Sequence, residues 1–416
     1  MSGTKIRLLA AGALATSLLI AGCAVPGHPR SATVNPATLD VGPYSTEPFT
    51  AAPTGTDADG RVLEAVRMGE AVIDPMDADP TLTHRLGSAA SVPIPSPEKA
   101  VYLSEPVRGV LAKYGMLAGF SVAGADAEID PYVAVGHARL LTVMILRFPS
   151  ADQARQAAAA IDAVDAAVSP DNVPVSIPDH PGAHGHWRPT VPTLAATEAQ
   201  DAYVITVLAG YPSTDLGALT TLARSALTAQ ASRLRDFTPT PLSDFASLPL
   251  DSDGMLARML PEAPGVWPRP MVLSIAADKD AGWKARLMPS GVVYGPRASQ
   301  RWAQWAADGP DTGGMVIALR GQNLLARFRD AVTARKEFAA TADELNSPGI
   351  RPAPAPAAIP DVRCSEWVGG GQYDVRFACR ALYGVYDVQV YSRTQADAQQ
   401  RIAAQYALLV KAESRG

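Results

Sequence analysis

"ARLLTVMILRFPSADQARQAAAAIDAVDAAV" (138–168) decides the fold. It opens as an apolar run with strand propensity, turns through Phe148-Pro149-Ser150, and continues as an alanine-rich segment that reads as a helix. Ser150 stands at the expected N-cap, where its hydroxyl can accept from a free N–H of the first turn. The same pattern recurs in "NLLARFRDAVTARKEFAATADEL" (323–345) and "YDVQVYSRTQADAQQRIAAQYALLVKA" (386–412), and more loosely in "YVITVLAGYPSTDLGALTTLARSALTAQ" (203–230). Asp330, Thr394 and either Ser213 or Thr214 are the matching cap candidates. Duplication of one βα unit explains the recurrence. So does the commonness of strand–turn–helix units in mixed proteins, and the sequence leaves both open.

Around these units, "DVRCSEW", "YDVRFACRAL" and "YGVYDVQVY" follow one another with only glycine-containing turns between them. Such spacing predicts hairpins and antiparallel pairing rather than strict βαβ alternation. The fold class is therefore α+β: two domains of mainly antiparallel sheet, with Ala-rich helices packed on one face in repeated strand–helix units. "FTPTPLSDFASLPL" (237–250) breaks the helical pattern and marks the main boundary. "SPGIRPAPAPAAIP" (347–360) reads as a proline-stiffened connection inside the second domain. The division is a first domain at 57–240 and a second at 245–416.

The leader "MSGTKIRLLAAGALATSLLIAGC" has a short positive start, Lys5 and Arg7, then an apolar run from Leu8 to Ile20. That run is too short to cross a hydrocarbon core of ~30 Å comfortably, and it suits a signal peptide over residues 1–22. Ile20-Ala21-Gly22-Cys23 resembles the bacterial lipobox, which implies cleavage before Cys23 and a lipid on its sulfur. Two or more acyl chains hold a protein firmly, so the expected partner is the plasma membrane, reached from its extracytoplasmic face. Residues 23–56, rich in Pro, Ser, Thr and Gly, read as a flexible tether.

The chain has three cysteines. With Cys23 lipidated, Cys364 and Cys379 remain, and a disulfide between them would contribute about 3 kcal/mol in the chain-entropy model. Two free buried thiols are the alternative, less at home outside the cytosol. The formal charge is −5 and becomes two units more negative without Lys5 and Arg7. That balance argues against nucleic acid as a partner.

The densest cluster of titratable side chains is "DHPGAHGHW" (179–187). His184 and His186 are two apart, which puts both rings on one face of a strand, and a turn at Pro181-Gly182 would fold His180 back over them. With Asp179 as ligand or orienting group, this is the donor set of a metal-dependent hydrolase. No distant Glu stands out as a general base, and His137 is the nearest further imidazole in sequence. The plainer expectation is a turn-rich, solvated loop leading into a strand at Trp187. Elsewhere, "SPEK" (96–99) has the spacing of a Ser-x-x-Lys nucleophile but proline on both sides of the serine, and "GFSVAG" (119–124) lacks the nucleophile-elbow spacing. Trp302 and Trp305 lie three apart on one helical face, either as core or as an apolar groove for a lipid. Asp308 and Asp311 sit in a solvated turn.

The whole of residues 24–416 resembles a group of cell-envelope lipoproteins of unknown function from mycobacteria and related actinobacteria. The matching stretches are "LDVGPYSTEP" (39–48), "LEAVRMGEAVIDPMDADPTL" (63–82), "HWRPTVPTL" (186–194), "VYGPRASQRWAQWAADG" (293–309) and "QRIAAQYALLVKA" (400–412). The resemblance implies a two-part extracytoplasmic α+β lipoprotein and carries no catalytic residue with it. The functional expectation is a noncatalytic binding or accessory role at the envelope, with an envelope lipid, glycan or protein as ligand and no cofactor. The competing expectation is the hydrolase built on His180, His184 and His186.

Overall fold

The computed structural model describes residues 34–49, 52–87, 91–131, 133–274, 287–303, 314–342, 348–369 and 375–414. Val34–Gly416 fold as one unit. The chain enters through helices α1 (Asp57–Met68) and α2 (Pro75–Ala78) and two short strands, β1 (His84–Arg85) and β2 (Val92–Ile94). Helix α3 (Glu105–Lys113) leads to β3 (Ala118–Ala125) and β4 (Leu140–Arg147), then α4 (Ala151–Ala166). Four strands follow: β5 (Val173–Ile177), β6 (His180–Trp187), β7 (Thr193–Gln200) and β8 (Tyr203–Gly210). Helix α5 (Leu216–Leu234) ends the first half.

The second half starts with a hairpin, β9 (Met271–Ser274) and β10 (Leu287–Ser290), and continues with β11 (Val292–Tyr294) and α6 (Pro296–Ala303). Strands β12 (Val316–Arg320) and β13 (Asn323–Arg327) precede α7 (Ala331–Ala340). Then come β14 (Ile350–Ala353), β15 (Val362–Trp367), β16 (Phe377–Tyr383), β17 (Tyr386–Ser392) and the closing helix α8 (Gln395–Glu413).

The two sheets have one topology. The first runs β1-β3-β4-β8-β7-β6-β5, with β2 also on β3; the second runs β11-β12-β13-β17-β16-β15-β14. Every pairing is antiparallel. Helices α3 and α6, α4 and α7, α5 and α8 interrupt the two strand series at the same points. The local detail repeats as well. Phe148 N–H donates to the Ala202 carbonyl across the first sheet, and Phe328 N–H to the Val385 carbonyl across the second. One unit used twice accounts for this match better than the general abundance of strand–helix units does.

Three of the expected caps form: Ser150 accepts from Gln153 N–H, Asp330 from Thr333 N–H and Thr394 from Asp397 N–H. The fourth is corrected. Asp215, not Ser213 or Thr214, accepts from Ala218 N–H at the start of α5. The Ala-rich helices, expected together on one face, are corrected to both faces of the first sheet. In the first half, α4 lies on Met144, Leu146 and Val204. Helix α5 lies on the opposite face, over Leu194, Ala196, Ile205 and Val207. The outermost strands β5 and β14 carry Pro174 and Pro352, which withhold a donor from an open sheet edge.

One core crosses from half to half. Phe120 of β3 meets Tyr294 of β11 edge-on at 6.3 Å, and both belong to the same buried cluster. Glu70 accepts from the N–H groups of Arg297 and Ala298, at 3.0 and 2.9 Å, in the first turn of α6. The tether expected at 23–56 is corrected over its described part: Val34, Leu39 and Val41 pack on the second core, Tyr44 O–H donates to Asp397, and Lys411 pairs with Glu47. Apolar side chains among the prolines are what pin it. Among the described residues no helix is long and apolar enough to cross a membrane.

Candidate functional site

"DHPGAHGHW" is corrected from loop to strand: His180–Trp187 is β6, paired with β5 on one side and β7 on the other. The turn is three residues earlier than Pro181-Gly182. It lies at Pro178-Asp179, with Ile177 opposite His180 and Asp179 at φ 65°, a left-handed conformation that aspartate tolerates better than most residues. Pairing then slips, so that the next registered pair on that side is Val175 with Gly185. Under plain alternation His180, His184 and His186 would share a face. The bulge turns His180 onto the α5 face and leaves His184 and His186 on the α4 face. The three imidazoles expected to converge are divided by the sheet.

His180 is held from both ring nitrogens. Nδ1 lies 2.8 Å from Oε2 of Glu198 on β7, and Nε2 lies 2.9 Å from Oγ1 of Thr228 on α5. A carboxylate only accepts, so Nδ1 carries the hydrogen. In the neutral ring Nε2 is then an acceptor, and the Thr228 hydroxyl donates to it. The His180 and Glu198 side chains are 10% and 17% exposed, whereas Thr228 is open to solvent. Threonines inside helices often bond back to the carbonyl four residues earlier, as Thr220 does to Leu216 and Thr221 to Gly217. The recorded bond of the Thr228 hydroxyl is to the imidazole. One turn earlier on α5, Arg224 donates to Asp179 at 3.1 Å.

His186 faces α4. Its Nδ1 is 2.8 Å from Asp162 and its Nε2 is 3.5 Å from Asp165. Burial works against its charge, but the two carboxylates outweigh that and push its pKa up to about 9. His184 is exposed, and His137 bonds the Val135 carbonyl in a separate loop. Among the described residues no group of three or more His, Cys, Asp or Glu side chains is placed to hold a metal ion.

The remaining sequence candidates have structural settings. Cys364 and Cys379 face each other across β15 and β16, buried, and are joined by a disulfide. Trp302 packs against the core beside Tyr294, 6.0 Å between ring centroids, with the Arg85 guanidinium 5.8 Å from its ring. Trp305, Asp308, Asp311 and Cys23 lie outside the described residues. Lys99 of "SPEK" reaches the Ser274 hydroxyl at 3.1 Å rather than Ser96. The sequence reading missed Glu198, Thr228 and Arg224. The only signal for the first was alternation along "TLAATEAQ", which puts Glu198 and Gln200 on the face of Leu194 and Ala196. Gln200 Nε2 duly donates to the Ala231 carbonyl of α5.

Comparison with known proteins identifies domains rather than an activity. No curated protein matches the chain. Among solved structures, the extracellular domain of PknH from Mycobacterium tuberculosis is similar over 40% of this chain and 94% of its own length, at 11% identity and a TM-score of 0.28. Residues 51–250 match the N-terminal domain of unknown function DUF7373, and residues 255–412 match its C-terminal counterpart. With both parts present in order, the chain is a two-domain DUF7373 protein.

Proposed function

We propose that this protein is held by a lipid on Cys23 at the extracytoplasmic face of the cell membrane and has a noncatalytic binding or accessory role in the envelope. The observation that carries the location is the buried Cys364–Cys379 disulfide. Structural cystines persist where the medium is oxidising, and this one accounts for every cysteine except the one that ends the apolar leader. The lipobox resemblance at Ile20 to Cys23 and the resemblance to actinobacterial envelope lipoproteins support the same reading.

For binding, the second sheet supplies a surface. Trp367 and Tyr391 lie on its α7 face with their rings stacked, 5.9 Å between centroids and 13° between planes, and both are partly exposed. Gln389 shares that face by strand alternation. An aromatic pair beside an amide suits a glycan or the headgroup of an envelope glycolipid, through apolar ring contact and directional hydrogen bonds.

Native mass spectrometry on the untagged chain, purified without added metal, tests the proposal, together with labelled palmitate fed to producing cells. The expected result is palmitate on the wild type and none on Cys23→Ser, with a lipid- or glycan-sized mass increment that Trp367→Ala loses. Palmitate retained by Cys23→Ser overturns the anchor. An unliganded mass from native envelope extracts overturns the small-ligand reading.

A further inference from the structure

The array at His180 supports an activity beyond binding. Glu198, His180 and Thr228 come from β7, β6 and α5, and they form one chain of hydrogen bonds, carboxylate to Nδ1 at 2.8 Å and Nε2 to hydroxyl at 2.9 Å. The base is shielded while the hydroxyl is open to solvent. That is the arrangement that activates an alcohol: an adjacent imidazole to take its proton, and a third group that fixes the ring's tautomer and orientation. Arg224 lies one turn before Thr228 on the same helical face, their Cβ atoms about 6 Å apart by helix geometry. Its guanidinium is steadied by Asp179, the residue next to His180.

We propose that Thr228 is an acyl-accepting hydroxyl, with His180 as its general base, Glu198 as the residue that positions the imidazole, and Arg224 as the positive charge beside the developing oxyanion. The acyl donor is an activated ester or thioester. The Thr228 oxygen attacks the donor's carbonyl carbon as its proton passes to Nε2 of His180. The carbon–oxygen or carbon–sulfur bond to the leaving group breaks, and the leaving alkoxide or thiolate takes that proton. The product is an O-acyl threonine. No electrons change hands, and the event is stoichiometric, so it adds a covalent step to the protein without making it a turnover enzyme. It uses the opposite half of the molecule from Trp367 and Tyr391, so either proposal can fail without the other.

The test is incubation of the full chain with p-nitrophenyl acetate, following nitrophenolate release and mapping acetylated peptides by mass spectrometry. The expected result is one acetyl group per chain on Thr228, retained as a serine ester in Thr228→Ser and absent in Thr228→Ala, an exposed position whose loss leaves the circular dichroism unchanged. His180→Ala slows transfer by about 100-fold or more, the usual contribution of a positioned general base. Glu198→Gln slows acylation of Thr228 with the circular dichroism unchanged and Glu198→Asp restores part of the rate, a rescue that a purely structural role would not give. Acetyl groups scattered over lysines with Thr228 unmodified, or equal labelling of Thr228→Ala, overturn the proposal. So does an unchanged rate in a folded His180→Ala chain.

Discussion

Arg147 closes β4 opposite Tyr203, and Arg327 closes β13 opposite Tyr386, the same place in the two copies of one topology. Each is followed by a phenylalanine and, two residues further, by a helix N-cap, Ser150 or Asp330. Their partners differ. Arg147 is buried on Glu64 of α1, whose carboxylate also takes Arg67 and the hydroxyl and N–H of Thr240. Arg327 reaches Asp253, which is 60% exposed. A helix laid over the first copy has turned a surface arginine into a buried one.

The two positions therefore predict unequal costs. Arg147→Ala leaves a fully buried carboxylate short of its main counter-charge and should destabilise by about 3–5 kcal/mol. Arg327→Ala breaks a solvated pair and should cost less than about 1 kcal/mol. Urea-unfolding midpoints of the two variants are the measurement, and equal shifts would contradict the burial difference.

Much of the architecture was legible because it rests on local periodicity. The continuous apolar run 140–147, the alternation in 386–392 and the caps Ser150, Asp330 and Thr394 each follow from a handful of neighbouring residues. The candidate site was not legible. Its three groups are 18 and 30 residues apart along the chain. Their convergence depends on a register slip between Val175 and Ile177. Pro181-Gly182 looks like the stronger turn in sequence, yet the turn forms at Pro178-Asp179, where aspartate can take a positive φ. A shift of that kind flips a side chain to the other face of a sheet, and period-two reading cannot see it.

His186 predicts a pH dependence. Its folded-state pKa, about 9, lies above the ordinary value of 6.5. The group thus contributes stability that is fully present below the unfolded value and is lost as pH rises through about 9. The stability gap between wild type and His186→Ala should be about 2 kcal/mol near pH 6, the scale of charged hydrogen bonds, and should shrink near pH 10. Denaturant titrations at the two pH values check it. A gap that widens with pH would show that the imidazole is held neutral.

The disulfide spans a sequence separation of 15 residues between adjacent strands of the second sheet. Replacing both Cys364 and Cys379 with alanine should lower stability by about 3 kcal/mol. Dithiothreitol should have the same effect on the wild type and none on the variant. Thermal melts with and without reductant read both, and a wild type indifferent to reductant would mean that the bond adds nothing to the folded state.

Arg301 tests whether the two halves unfold together. It is 4% exposed, and its guanidinium donates to the carbonyls of Gly69 and Val72 while pairing with Asp74. One side chain from α6 thus satisfies three acceptors of the segment between α1 and α2. Arg301→Met keeps the apolar stem and removes every donor, leaving the Gly69 carbonyl without its donor and the Val72 carbonyl and Asp74 with Arg297 alone, at a cost of about 1–3 kcal/mol. The damage lies where the halves meet. Hydrogen exchange should therefore speed up in α1, β11 and β12 while β15 to β17, secured by their own core and the disulfide, keep their protection. Arg401→Ala, which breaks an outward pair with Asp397 on α8, serves as the control and should change little at the junction. Uniform loss of protection across both sheets would show one cooperative unit, whereas loss confined to the junction would show two domains docked through α6.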